Sequence, residues 1–366
     1  MKKVSSQALL LTFILVFLAL TFLTSVGATA PLISVKDFPL LQFTPIAAFL
    51  LIPIHVLILI GFLSKKPNRK WAIICIILLG MSGPVLFKFL NLAPEEEPDV
   101  EGAISIMTFN IQGFAIKKNR LDSIINLINE HDPDVVCFQE FRRSIRGAYD
   151  AIEYTAERTG YPHYMFQGRD KHKHGLAFMS KYPVVDTDTL FVYSHYINQG
   201  ILSILETPAG RVGVGNIHLS SFQFDEITSR KDLEPKEKLP LYLKRIRNVI
   251  PRQEAEVERI VPMLKKYDMP LVLATDMNAM PHTKMYNRMA GQFRDTFKEK
   301  GRGLGWTFHL LGFLKVRLDY EFVNDNVEVL THNVIENNHS DHAAILGHYK
   351  FPGNQKQAAL DPPNPE

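Results

Sequence analysis

Cysteine is nearly missing from this 366-residue chain, which carries only Cys75 and Cys137. The first falls inside an apolar run and the second inside the strand-like VVCF. A disulfide framework is therefore excluded, and both thiols are expected in the core rather than as nucleophiles. Acidic residues are equally scarce over the first 94 positions. Asp37 stands there alone against Lys2, Lys3, Lys36, Lys65, Lys66, Arg69, Lys70 and Lys88. The scarcity is local, because the whole chain holds 41 Lys and Arg against 38 Asp and Glu. The remaining body is thus close to neutral, which argues against affinity gained by blanketing nucleic acid with basic side chains. No internal repeat is visible.

Charge is absent altogether between Lys3 and Lys36, where ALLLTFILVFLALTFLTSV is long enough to span a bilayer core of ~30 Å. A second run, FPLLQFTPIAAFLLIPIHVLILIGFLS, fills Asp37 to Lys65, and its prolines are expected to bend it. A third, WAIICIILLGMSGPVLF, extends through FLNLA because Lys88 can snorkel. Amphipathic helices of soluble proteins show a polar face, and these runs do not. Residues 1–92 are accordingly read as a membrane anchor of three transmembrane helices, in a cell inner or plasma membrane. Basic residues concentrate before the first span and in SKKPNRK between the second and third, so both places are expected to be cytoplasmic. Everything after Asn91 is then exoplasmic or periplasmic. Ala28-Thr29-Ala30 resembles a signal-peptidase site, but the apolar stretch exceeds a usual h-region, and an uncleaved anchor is expected.

The acidic, proline-rich APEEEPDVEG, residues 93–102, reads as a linker. Residues 103–351 form one domain-sized body, and 352–366 a polar, proline-rich tail expected to be disordered. Within the body, strand-like AISIMTFNI, DVVCFQE, GLAFMSK, RVGVGNIHL, PLVLATDMN, VRLDYEFV and AAILGHYK alternate with helical LDSIINLINEH and RQEAEVERIVPMLKKY. That order implies a sheet-rich α/β body with helices outside.

The strands finish on polar residues: Asn110, Glu140, His218, Asp276 with Asn278, and Asp319 inside RLDYEF. Just before the last strand stands NNHSDHAAI, with Asp341 and His342 side by side. Neighbours in a strand face opposite ways, so a joint role places them at the strand's mouth, where the chain bends. Each residue has an ordinary reading as turn opener, cap, solvated helix start or satisfied core histidine. Together, carboxylates, amides and imidazoles at strand ends suit one concave mouth and a hard divalent cation such as Mg²⁺.

These pieces resemble the endonuclease/exonuclease/phosphatase superfamily, the fold of deoxyribonuclease I. The matching motifs are TFNIQG (108–113), CFQE (137–140), NIHL (216–219), TDMN (275–278), RLDY (317–320) and SDH (340–342), in family order. The resemblance implies a four-layer α/β sandwich, two central mixed β-sheets flanked by helices, hydrolysing phosphodiester or phosphomonoester bonds. It implies Glu140 as principal Mg²⁺ ligand (Mn²⁺ being the alternative), with Asn110 and Asp341 beside the same metal. His342 becomes general base, Asp319 its orienting carboxylate, Asp276 and Asn278 positioners of water and phosphoryl oxygens, and His218 a donor to a non-bridging oxygen. Three departures stand out. TDMN replaces Gly-Asp-Phe-Asn. Glu321 sits where an apolar residue is customary, either paired with Arg317 or adding charge near the site. Gln112 occupies a position that is acidic in some nucleases, which counts against an abasic-site endonuclease.

The stretch from Ser220 to Pro251 is long for a connection and is read as a lid or binding loop, with a solvated helix plus turn as the equal alternative. Its Phe222, Phe224, Tyr242, Lys244, Arg245 and Arg247 suit the surface of an anionic bilayer. KKNR at 117, RRSIR at 142 and GRDKHKH at 168 are expected around the mouth. The leading reading is a membrane-anchored phosphoesterase acting on a lipid headgroup or small phosphoester, in contact with membrane lipids. A tethered nuclease acting on DNA or RNA is the alternative, and a non-enzymatic binding module is disfavoured because every expected polar position is filled. No protein partner follows from the sequence.

Overall fold

The computed structural model describes residues 6–64, 69–94, 98–113, 118–143, 150–168, 174–192, 198–310 and 314–351. The expected tail therefore lies outside the described residues. Three helices come first: α1 (Ser6–Thr29), α2 (Thr44–Ser64) and α3 (Arg69–Phe89). The segments Ile14–Leu32, Pro39–Ser64 and Trp71–Phe89 are long and apolar enough to cross a membrane. Leu15, Phe22, Leu57, Ile73 and Phe87 point outward from them, as side chains solvated by lipid do. Hydroxyls in α1 turn back on their own helix, Thr21 Oγ1 donating to Phe17 O and Ser25 Oγ to Thr21 O at 2.8 Å. Such bonds satisfy polar atoms that have no water to meet. α2 continues through Pro53 and α3 through Pro84.

The body holds two mixed six-stranded sheets. The first contains β1 (Ile104–Asn110), β2 (Val135–Arg142), β3 (His163–Gln167), β4 (His174–Ser180), β13 (Glu328–Ile335) and β14 (Ala344–Lys350), in the order β13-β14-β1-β2-β4-β3. The second contains β5 (Val184–Val192), β6 (Gln199–Thr207), β7 (Gly210–His218), β8 (Leu271–Asp276), β9 (Arg294–Asp295) and β12 (Asp319–Val323), in the order β5-β6-β7-β8-β12-β9. A hairpin of β10 (Phe308–Leu310) and β11 (Leu314–Val316) stands apart. Each sheet has a parallel pair, β1 with β2 and β7 with β8. Parallel neighbours require a crossover, supplied by α4 (Lys118–His131) in one case and by α6 (Phe224–Thr228) with α7 (Pro235–Leu264) in the other. The shorter helices α5 (Ala151–Thr159), α8 (Lys284–Ala290) and α9 (Thr296–Lys300) complete the body.

Strand alternation divides the apolar residues into layers. Ile106, Cys137 and Phe178 face Val214, Val272 and Ala274 between the sheets. Met107, Phe109 and Phe138 face Ile124 and Ile128 of α4, while Ile217 and Leu273 face Val257 of α7 and Tyr286 of α8. Helix, sheet, sheet, helix is the four-layer arrangement that the motifs implied. A polar bridge crosses the middle layer, where Gln139 Nε2 donates to Asn216 Oδ1 at 2.9 Å and to Thr108 Oγ1 at 3.0 Å. Asn216 Nδ2 returns to the carbonyls of Phe138 and Ala177.

Three sequence expectations change. Of the two readings of Ser220–Pro251 the loop is excluded and the helix plus turn holds, because α6 and α7 occupy most of it. Glu234 caps α7 and Glu237 reaches back to its backbone N–H at 2.8 Å, a reciprocal capping box with Pro235 at the first turn. Ile246, Val249, Ile250, Val257, Ile260 and Leu264 then bury at helical spacing, enough to carry the helix through Pro240, Pro251 and Pro262. The segment VRLDYEFV divides at Arg317 and Leu318 into β11 and β12. Glu321 is fully buried and accepts from the Tyr349 hydroxyl at 2.5 Å. It neither pairs with Arg317 nor joins the mouth, and burial raises its pKa well above the usual carboxylate value. Arg317 pairs instead with Asp295.

Candidate active site

Register collects the polar strand ends. His218 and Asp276 are direct partners at the carboxyl ends of β7 and β8, and Asp319, opening β12, pairs with Asp276 from the other side. In the other sheet Asn110 pairs with Gln139, and Glu140 follows. The ladder between β2 and β4 shifts between Phe138 and Phe141, and Glu140 takes φ 51° there. This bulge re-aims the carboxylate at a backbone conformation costly for a non-glycine residue. Gln112 and Asn278 share the left-handed conformation, at φ 45° and 48°.

The SDH knot sits at the strand's mouth, two residues ahead of β14. Asn337 Oδ1 accepts the backbone N–H groups of His339 and Ser340, and its amide donates to His342 O at 3.0 Å. Ser340 Oγ donates to Asn110 O at 2.7 Å and accepts from His342 N. So strapped, His342 Nδ1 lies 2.8 Å from Asp319 Oδ2, leaving Nε2 as the free ring position. Thr307 Oγ1 accepts the backbone N–H of Asp319 at 3.0 Å and fixes that carboxylate's origin.

The remaining groups interlock. Asn110 Nδ2 donates to Asp276 Oδ2 at 2.7 Å, and Asp276 Oδ1 accepts from Asn278 N at 2.9 Å. Asp341 Oδ2 accepts from Gln112 Nε2 at 2.9 Å. His218 Nε2 stands 3.6 Å from Asp276 Oδ2 and 3.7 Å from Glu140 Oε1, and neither ring nitrogen of this wholly buried residue has a hydrogen-bond partner. His174 Nδ1 approaches Glu140 Oε2 to 4.0 Å. All eight candidate residues, Asn110, Glu140, His218, Asp276, Asn278, Asp319, Asp341 and His342, thus belong to one connected mouth.

Electrostatics separates the groups. Burial and the neighbouring Asp319 push Asp276 up to about 7. Burial, with His342 and His174 nearby, lowers His218 to about 3, so its ring is neutral. Burial alone would lower His342 as well, but Asp319, Asp276 and Asp341 outweigh it and raise the ring to about 10. Four carboxylates in one mouth leave a surplus of negative charge, which fits a divalent cation. Among the described residues, Asp276, Asp319 and His342 offer ligand atoms all within 4.8 Å of one another. The His342 nitrogen facing Asp319 is already engaged, however, so that trio has the form of a base with its orienting acid. Glu140, Asp341 and Asn110, the expected ligands, bring further oxygen atoms to the same mouth.

Some residues that shape the site were not legible as such. Gln253 Nε2 holds the carbonyls of Ser220 and Asn278, while Glu256 accepts both the N–H and the hydroxyl of Ser220. Both lie on the apolar stripe of α7, where a polar side chain is the signal that could have found them. Thr307 carries no such mark, whereas His174 ends the GRDKHKH cluster expected around the mouth and Asn337 opens the stretch NNHSDHAAI. Of the basic clusters, 117, 144–146 and 169–173 lie outside the described residues, and Arg143 is engaged with Asp150 at 2.8 Å.

Residues 107–342 match the model of the Endonuclease/Exonuclease/phosphatase family. Among solved structures, an endonuclease/exonuclease/phosphatase from Bacteroides vulgatus superposes with TM-score 0.52 at 17% identity, covering 68% of this chain and 99% of that one. The human Nocturnin catalytic domain gives 0.49 at 17% identity, with coverage of 68% and 94%. A mannosyl-6-phosphatase of Bacteroides thetaiotaomicron gives 0.48 at 15% identity, with 68% and 100%. Comparison with curated proteins yields no match.

Proposed function

Because the chain belongs to the endonuclease/exonuclease/phosphatase family, we propose that it is a membrane-anchored, divalent-metal-dependent hydrolase of phosphoester bonds, with its catalytic body on the exoplasmic side. The observation that carries the reading is the 2.8 Å pair of His342 and Asp319 in one mouth with the carboxylates of Glu140, Asp276 and Asp341. In its neutral form, which the charge of a bound cation would favour against the carboxylates that raise the ring, His342 takes the proton of the attacking water at Nε2, while Asp319 holds the ring's tautomer and orientation. Asp276 and Asn278 orient that water and the phosphoryl oxygens. Neutral His218 donates a hydrogen bond to a non-bridging oxygen as charge builds on it, in a buried setting where such a bond counts for more than in water. Glu140, Asn110 and Asp341 would hold the cation, Mg²⁺ by the hardness of the oxygen donors and Mn²⁺ as the alternative. Bound there, it supplies Lewis-acid polarisation of the phosphoryl group.

The test uses the full chain in lipid nanodiscs with Mg²⁺ and bis-p-nitrophenyl phosphate. Hydrolysis is expected, with loss in excess EDTA, recovery on adding Mg²⁺ or Mn²⁺, and loss in His342→Ala. A protein that is folded and inert toward this diester with either metal overturns the reading. Nicking of plasmid DNA at catalytic rates would redirect it to a tethered nuclease.

A further inference from the structure

The catalytic body is clamped to its anchor. Asn91, two residues past α3, exchanges backbone hydrogen bonds with Gly303 at 2.9 and 2.8 Å. Its side-chain amide donates to Phe297 O at 2.7 Å and Gly301 O at 2.8 Å. Arg317 Nη2 donates to Lys88 O at 2.9 Å and Lys298 Nζ to Leu90 O at 3.0 Å, serving carbonyls left unpaired where α3 ends. At the end of α1, His282 Nε2 lies 2.9 Å from Ala28 O. Just ahead of α2, Gln42 Oε1 accepts from Lys284 N at 2.9 Å. All three apolar helices are therefore tied to the body that carries the site.

The joint lies against the catalytic mouth. The Phe308 ring stands 4.7 Å from the His342 ring, and Phe308 also packs in an apolar cluster with Ala48, Val85, Phe89 and Met280. Ala48 and Val85 fall inside Pro39–Ser64 and Trp71–Phe89, segments apolar enough to cross a membrane. β10 is stitched to the catalytic segment by His309 N to Asp341 O at 3.1 Å and Ala343 N to Thr307 O at 2.7 Å. One aromatic ring thus separates the catalytic imidazole from helices suited to lipid. Leu32 and Leu92, at the same helix ends, are 85% and 82% exposed, and Phe38 is exposed beside them. Water penalises such side chains, whereas the headgroup layer accommodates them.

Resting on the hydrolase reading above, we infer that the phosphoester is borne by a lipid of the same bilayer. Its phosphate enters the mouth at headgroup level while its apolar part stays in the leaflet beside β10 and the helix ends. In the reaction the water oxygen bonds to phosphorus, the P–O bond to the leaving group breaks, and the leaving oxygen takes up a proton. The clamp holds the mouth at one height, so a lipid diffusing in the plane meets it at raised local concentration.

Full-length protein in nanodiscs of phosphatidylethanolamine and phosphatidylglycerol, with Mg²⁺, provides the test. Turnover of the bilayer lipids is expected to exceed that of their dihexanoyl forms, held below the micelle-forming concentration, by about tenfold or more at equal total lipid. Asn91→Ala and Gln42→Ala loosen the clamp at separate points. Each is expected to lower bilayer turnover about fivefold while bis-p-nitrophenyl phosphate cleavage stays within about twofold. Equal rates on both lipid forms, no turnover of either lipid, equal loss on lipid and soluble diester in the variants, or a preference for plasmid DNA overturns this inference while leaving the hydrolase reading in place. Failure to cleave bis-p-nitrophenyl phosphate removes the reading beneath it.

Discussion

His342 and His218 share one mouth yet are driven in opposite directions, one raised to about 10 by its ring of carboxylates and the other lowered to about 3 by burial and its fellow imidazoles. Two copies of one side chain thereby differ in charge at neutral pH, cationic for the first and neutral for the second. Asp319 gives His342 its direction, so Asp319→Asn is expected to lower kcat by about 10²–10⁴ with little change in KM. Steady-state kinetics on bis-p-nitrophenyl phosphate read that split. A second prediction concerns Glu256, which burial raises to about 7 despite the opposing bonds from Ser220. Its unfolded value is about 4.3, so between these limits the folded chain binds the proton more tightly than the unfolded one. Its contribution to stability is greatest below about pH 4.3, declines as pH rises toward 7, and is constant beyond. Relative to wild type, Glu256→Gln should therefore gain stability across that window, which denaturation in detergent at pH 4.5, 6 and 8 would show. A difference unchanged with pH counts against a raised carboxylate. At this scale the sequence displayed the acids, amides and imidazoles at strand ends. It could not tell that Glu321, on the same strand as Asp319, faces Tyr349 between the sheets.

Elements differ in how openly they declare themselves. β1, β7 and β8 are buried over nearly their whole length and were legible in the sequence as strand-like segments with few charged residues. β5 is an edge strand, largely exposed along VVDTDT, and has no such run to betray it. The second half of α7 was legible in RQEAEVERIVPMLKKY, but its first half was obscured by prolines, whose cost is a local matter, whereas the burial that outweighs it comes from β7, β8 and α8. β11 and β12 part at Arg317, and that residue shows what the break achieves. Its guanidinium is 1% exposed, stands 4.3 Å over the Phe297 ring, and meets both Asp295 oxygens at 3.1 and 2.8 Å. Arg317→Met leaves Asp295 as an uncompensated buried charge and is expected to destabilise by about 3–5 kcal/mol. Adding Asp295→Leu should restore most of that loss, because no charge then remains to be paired. Chemical denaturation of the wild type, the single and the double variant measures both effects. A double variant as unstable as the single would show that packing against Phe297 and Tyr320, rather than charge, is what the guanidinium supplies.

At the scale of the whole molecule, the three apolar helices and the body are joined by hydrogen bonds made by Asn91, Arg317, His282 and Gln42. With basic runs before α1 and between α2 and α3, the chain is expected to enter the body on the exoplasmic face. An alkaline phosphatase fusion after Glu366 should be active and a fluorescent reporter that folds only in the cytoplasm should stay dark. The opposite pair of results reverses the orientation and moves the proposed substrate to the other leaflet. Sequence alone determined the three apolar helices, the order of the polar motifs and a sheet-rich α/β body, because each is written in contiguous residues whose periodicity and polarity are local properties, while the four-layer sandwich was what the resemblance implied. The tertiary structure decided how those pieces face one another. Asn91 meets Phe297 across 206 positions and Gln112 meets Asp341 across 229. Such pairs depend on which surfaces folding brings together, and no stretch of chain records that in its own pattern.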